Sequence, residues 1–145
     1  MTPTLDDRIA GSLLATAVGD ALGYPHEFRT VAQVRREIGP AGLVDFVALQ
    51  DPRFTRPFIV GTAHPPGTFT DDTQMTLAVA EALIEAGRPR TKAGHDALIQ
   101  AMGRRFVDWF FSDDTDRSPG ETTGIACKAL HDVAARLDAA RATTG

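Results

Sequence analysis

Apolar residues recurring at helical spacing constrain this chain more than any other feature. After Arg8, the residues Ile9, Leu13, Leu14, Ala17, Val18 and Ala21 follow i, i+4, i+5, i+8 spacing, which lines one side of a helix. Thr4 and Asp7 stand before that run at capping-box spacing, with Asp in place of the usual Glu or Gln. Gly19 and Gly23 near its end allow close backbone approach. A short second helix is expected from Thr30, with Gln33 completing another capping box, to Gly39-Pro40. Leu43-Val44-Asp45-Phe46-Val47 fits a short strand. Pro52, Pro57, Gly61, Pro65, Pro66 and Gly67 make the remainder of 41–67 a long loop, a length that often carries function.

From Asp72, the residues Met75, Leu77, Ala78, Val79, Ala80, Ala82, Leu83 and Ile84 are apolar almost all round, which predicts a buried helix. Gly87 is its natural stop and Pro89 prevents resumption. A fourth helix from Ala93 to Phe111 places Leu98, Met102, Phe106, Trp109 and Phe110 on one face, read as core packing. A last helix carries Ile125, Ala129, Leu130, Val133 and Leu137. No internal repeat interrupts the pattern. The expectation is one all-α domain over residues 1–145.

Composition narrows the functional classes. Fifteen basic residues against nineteen acidic ones give a net charge of −4 with no basic run, which argues against nucleic-acid binding. A hydrophobic fraction of 43% excludes a disordered tail. The single cysteine, Cys127, excludes a disulfide framework and a multi-cysteine zinc site, and reads as a small core residue. No apolar run of about 18 residues offers a membrane span. Met1–Asp7 lacks the basic region of a signal peptide. A soluble, cytoplasmic chain is expected.

The richest chemistry lies in Gly67-Thr68-Phe69-Thr70-Asp71-Asp72-Thr73-Gln74-Met75. Thr70 or Asp71 can simply cap the helix, and acids in a first turn suit its dipole. One cap residue suffices, however, whereas Thr70, Asp71, Asp72 and Thr73 all carry oxygen. Neighbouring side chains there diverge by about 100°, so two carboxylates can serve two ions, or one ion and a water. Hard oxygen ligands favour magnesium or manganese over zinc.

Two further acids and one loop join the list. Glu27 follows Gly23-Tyr24-Pro25-His26, a turn from which a side chain can reach a cleft; the alternative is an exposed surface acid. Asp20, inside a nearly apolar helix, is either a hydrogen-bonded interior acid or a site residue, and a supporting role is favoured. Arg117-Ser118-Pro119-Gly120-Glu121-Thr122-Thr123-Gly124 offers a helix start suited to a phosphate, or an ordinary cap. His26, His64, His95 and His131 lack ligand spacing and read as surface or loop residues. Asp113, Asp114 and Asp116 read as a solvated acidic turn.

Three segments together resemble the ADP-ribosylglycohydrolase family, which includes the dinitrogenase reductase-activating glycohydrolases. They are Arg8–Leu14 running into Gly19-Asp20-Ala21-Leu22-Gly23, Pro25 and Glu27-Phe28; Gly67 through Ala78; and Pro119-Gly120-Glu121-Thr122-Thr123. Their order matches the family's N-terminal half over most of residues 5–130. The resemblance implies an all-α orthogonal helical bundle, truncated here, with a binuclear magnesium site (manganese being an alternative) in a cleft for ADP-ribose. It implies that Thr70, Asp71 and Asp72 are metal ligands, and that Asp71, Asp72 and Glu27 are catalytic, Glu27 as a mobile acid. Gly120, Glu121 and Thr122 become contacts for the ribose or diphosphate.

The implied reaction is hydrolysis of the glycosidic bond joining ADP-ribose to a protein side chain or small acceptor. Such cleavage passes through an oxocarbenium-like state, aided by an acid and an activated water. Two cations can orient ribose hydroxyls and supply that water's activation. Relatives also carry an Asp-x-Asp-Thr/Ser motif in a second half. None follows Gly120 here; only Asp114-Thr115-Asp116 echoes it, in the wrong place. The implied partner is therefore a complementary C-terminal half, or a second copy through self-association. Two other readings stay open: a module that binds ADP-ribose or a nucleotide without cleaving it, and a structural half-bundle that pairs with another chain.

Overall fold

The structure, a computed structural model, describes residues 2–48, 64–113 and 119–144. Residues 49–63 of the expected 41–67 loop and the acidic residues Asp114 and Asp116 lie outside the described residues, as do Arg117 and Ser118. Five α-helices and one short 3₁₀ turn make up the regular structure among the described residues, in the order α1 Leu5–Gly23, the 3₁₀ turn Tyr24–His26, α2 Val31–Ile38, α3 Asp71–Ala86, α4 Lys92–Phe110 and α5 Glu121–Thr144. The fold is all-α, as the periodicity requires. The chain divides into two compact units, Met1–Thr73 and Gln74–Gly145.

In the first unit, local chemistry sets the helix boundaries. The Thr4 backbone N–H donates to Asp7 Oδ2 at 2.8 Å, while the Asp7 N–H donates to Thr4 Oγ1 at 3.1 Å. The shorter Asp side chain thus closes the capping box. The Thr4 hydroxyl and backbone N–H also hold the Asp7 carboxyl below its ordinary range. Thr30 and Gln33 form the second box, through bonds of 2.8 and 3.2 Å. Gly39, at φ 73°, ends α2 in a conformation that needs no Cβ. Arg29 and Glu37 form a largely buried ion pair beside α2.

Residues Leu43–Val47 form no strand, which corrects the sequence expectation. A strand needs a ladder partner, and no described segment supplies one. Instead the Asp45 carboxylate takes the Phe46 backbone N–H at 2.8 Å, a local bond that competes with extended pairing.

The second unit contains the body of α3 with α4 and α5. Arg104 reaches Glu85 at 2.6 Å and Arg105 reaches Glu81 at 2.8 Å, joining α3 to α4 through solvent-facing pairs. Pairs this exposed contribute about 0–1 kcal/mol each. A stronger anchor is the indole N–H of Trp109, which donates to Gln74 Oε1 at 2.9 Å. Where α4 meets α5, Gly124 lets the Phe110 ring approach; a Cβ there would stand 3.4 Å from it. Gly87, at φ 68°, stops α3 as its position in the sequence indicates.

The buried apolar residues are mostly small: Ala21, Ala78, Ala82, Ala101 and Cys127, with Tyr24 the exception. This corrects the expectation that α3 is a buried helix. Its buried apolar residues are one stripe, Ala78 and Ala82, while Leu77 and Leu83 are exposed and Ile84 is 83% exposed. Periodicity shows that a helix is apolar all round but not whether a neighbour covers each side. The same is true of α5, whose Ile125, Val133 and Leu137 face solvent.

Candidate functional site

Helix α3 begins with two acids, Asp71 and Asp72, immediately after the buried Thr70. A helix start leaves backbone N–H groups unpaired within the helix. Thr70 satisfies one of them, its Oγ1 accepting from the Asp72 N–H at 3.3 Å. The rest of the anchoring comes from far away in the chain. Asp20 of α1 accepts the Thr70 N–H at 2.8 Å on Oδ2 and the Thr70 hydroxyl at 2.8 Å on Oδ1. It also accepts the Thr73 N–H at 3.2 Å and the Thr73 hydroxyl at 2.5 Å, both on Oδ2. One carboxylate therefore clamps the start of α3 through backbone and side chain together.

Charge accumulates around this clamp. Partial burial, followed by the neighbouring Asp72 carboxylate, pushes the Asp71 carboxyl up to about 6; its own backbone N–H opposes the rise, and Asp20 and Glu27 add to it. Glu27 is thus within electrostatic reach of Asp71. The 3₁₀ turn delivers it: Pro25 starts the turn, the Glu27 N–H donates to Tyr24 O at 3.3 Å, and Tyr24, Pro25 and His26 are buried beneath it. Glu27 itself is exposed. The next residue, Phe28, sits in the left-handed region at φ 61°, where an aromatic side chain is strained.

Sequence reasoning missed two features here. His26, expected as a surface or loop residue, is buried in the 3₁₀ turn, where the neighbouring Tyr24 ring packs edge-on against His64 at 5.8 Å. Thr73 joins Thr70 in the clamp, and the signal for it is an acid, Asp20, embedded in an apolar helix. Gly120, Glu121 and Thr122 stand at the start of α5 in the second unit, all exposed, with the Gly124 N–H bonded to Gly120 O at 3.1 Å. Cys127 is buried, as expected, and burial pushes its thiol up.

Among the described residues, no three His, Cys, Asp or Glu side chains group closely enough to make a metal cage by themselves. No helix of the described residues is long and apolar enough to cross a membrane.

Among the described residues the chain is all-helical, with a Thr-Asp-Asp helix start within electrostatic reach of Glu27. The family model for ADP-ribosylglycohydrolase matches residues 1–145, and the chain belongs to that family. It is 31% identical over 128 residues to the uncharacterized protein YegU of Escherichia coli (strain K12), covering 87% of this chain and 34% of that one. It is 33% identical over 87 residues to the ADP-ribosyl-[dinitrogen reductase] glycohydrolase of Rhodospirillum rubrum, covering 59% of this chain and 25% of that one. The chain thus spans about a third of the length of one of these relatives and a quarter of the other. No solved structure matches it.

Proposed function

We propose that this chain supplies the Thr-Asp-Asp part of a magnesium-dependent hydrolase that cleaves the glycosidic bond between ADP-ribose and a protein side chain or small acceptor. The observation that carries this reading is the oxygen-rich start of α3, where Thr70, held by Asp20, precedes Asp71 and Asp72, and where partial burial first and then the Asp72, Asp20 and Glu27 carboxylates push the Asp71 carboxyl up to about 6. The donor set suits a hard divalent cation: two carboxylates and a hydroxyl, with no sulfur or imidazole among them. Thr70, Asp71 and Asp72 would hold magnesium or manganese, and water or a second polypeptide would complete the coordination. When bound, the cation supplies Lewis-acid polarisation and orientation of ribose hydroxyls.

The chain's own residues have separable tasks in this reading. Asp71 and Asp72 present negative charge on a helix start already held in place by Asp20. Glu27, on the turn after α1, is the acid near the scissile bond, and its solvent-facing position lets a substrate reach it. Gly120, Glu121 and Thr122 offer backbone N–H groups for the ribose or diphosphate at the start of α5. A cytoplasmic site of action is part of the proposal, supported by a single buried cysteine that needs no oxidising compartment.

Because the chain spans so little of its relatives' length, the activity is assigned to an assembly containing a complementary C-terminal half. The exposed apolar faces of α3 and α5 favour such pairing, or self-association, over an isolated monomer. The deciding experiment is hydrolysis of an ADP-ribosylated peptide by this chain combined with the C-terminal portion of a family member. Magnesium-dependent release of ADP-ribose supports the proposal. Retained ADP-ribose binding without release would leave a binding module instead.

A further inference from the structure

The four bonds accepted by Asp20 are unequally shared between its oxygens. Oδ2 takes three donors, the N–H groups of Thr70 and Thr73 and the Thr73 hydroxyl, whereas Oδ1 takes only the Thr70 hydroxyl. All of Asp20's bonds to backbone therefore rest on Oδ2. The contact at Oδ1 does something else, and it involves one of the residues proposed above as a cation ligand.

A hydroxyl has one proton and two lone pairs. The Thr70 proton is committed to Asp20 Oδ1, and one lone pair receives the Asp72 N–H at 3.3 Å. What remains is a single lone pair on an oxygen that cannot turn its proton outward. A neutral hydroxyl ligates a hard cation only in that state, because a proton directed at the ion opposes it. We propose that Asp20 is a positioning residue that fixes the polarity of the Thr70 hydroxyl, so that its free lone pair serves the cation held with Asp71 and Asp72. This rests on the function proposed above and adds a residue that never touches the ion.

The asymmetry also provides the test. In Asp20→Asn, the amide oxygen best occupies the Oδ2 position, where three donors converge, and the NH2 group then faces the Thr70 hydroxyl. That hydroxyl must accept, and its proton turns outward, while the backbone clamp keeps its acceptor. Titration of the chain with Mn2+, followed by water-proton relaxation, reads the consequence directly, with the thermal melt recorded in parallel. Asp20→Asn is expected to stay folded and to bind Mn2+ about 10–100-fold more weakly than the wild-type chain, as found when the outer hydrogen-bond partner of a ligand is lost. Thr70→Val is expected to lose a similar factor, and the double variant little more, since both act through one oxygen.

Wild-type Mn2+ affinity in a folded Asp20→Asn would reduce Asp20 to a helix clamp and overturn the proposal. Additive losses in the double variant would overturn it as well. If Asp20→Asn fails to fold, Thr70→Val decides alone, and unchanged affinity there refutes the idea. A folded wild-type chain that binds no Mn2+ would remove the cation reading itself, and this inference with it.

Discussion

Asp20 and Thr73 stand 53 positions apart in the chain, yet the Thr73 hydroxyl donates to the Asp20 carboxylate at 2.5 Å. This bond and its three companions tie the end of one helix to the beginning of another, and the acids between the two threonines inherit their placement from it. Removing the carboxylate entirely is therefore expected to be costly. Asp20→Ala should lower unfolding stability by about 2–4 kcal/mol, since bonds to a charged acceptor contribute about 1.5–3 kcal/mol each and do not add fully. Urea denaturation checks this, and a loss below half a kcal/mol, roughly the scale of an ordinary surface change, would show the clamp to be idle.

Asp71 and Asp72 should behave oppositely. Asp72→Ala removes first-turn charge at a cost of no more than about 0.3–1 kcal/mol, and Asp71→Ala should cost nothing near neutral pH, because the charged form of its raised carboxyl is disfavoured in the folded chain. In the reconstituted hydrolase either change should abolish turnover while the fold persists. Wild-type turnover in both variants would leave helix capping as the better account of these acids.

The raised Asp71 carboxyl predicts a pH dependence for the metal-free protein. Its folded-state value of about 6 exceeds the ordinary 3.8, so the folded chain binds this proton more tightly than the unfolded one. The resulting stability is complete below the ordinary value and is lost as pH rises through about 6. Melting temperature should fall over that interval, and Asp71→Asn should flatten the slope. An unchanged slope in Asp71→Asn would show that other groups set it.

Magnesium binding by this chain alone should be weak, because a hydroxyl and two carboxylates from adjacent positions leave most of the coordination to water. Calorimetry with and without the C-terminal portion of a family member tests this, with much tighter binding expected in the mixture. Tight binding by the chain alone would mean that it carries ligands beyond Thr70, Asp71 and Asp72.

The exposed apolar side chains predict association. Leu77 and Ile84 on α3 and Ile125 and Leu137 on α5 all face solvent. Light scattering over a concentration series should show self-association or poor solubility that a partner polypeptide relieves. A stable monomer at high concentration that binds no hydrophobic dye would refute this.

What was legible in the sequence was local. Thr4 with Asp7 and Thr30 with Gln33 announce their helices because a capping box spans only three positions, and Gly39 and Gly87 announce the stops for the same reason. The Thr70–Asp72 helix start was readable from its run of oxygens, and Glu27 from its turn. The bonds from Asp20 to Thr70 and Thr73 were not, because nothing in a hydrophobic pattern states which threonines an interior acid will meet 50 positions later. Burial of His26 and exposure of Ile84 escaped for a related reason: both depend on whether another segment lies alongside. The apparent strand at Leu43–Val47 failed because β-branched composition supplies propensity without supplying a partner.

The indole of Trp109 bonded to Gln74 has an optical consequence. The chain contains one tryptophan and one tyrosine. Trp109 and its partner lie in the unit from Gln74 onward, and Tyr24, against His64, lies in the unit that ends at Thr73. Nature has thus labelled each unit with its own chromophore. Indole emission reports on α3 and α4, while near-ultraviolet tyrosine signals report on the turn that carries Glu27. Melting curves from the two will superimpose if the units unfold together and separate if one lets go first, without any dye or engineered label.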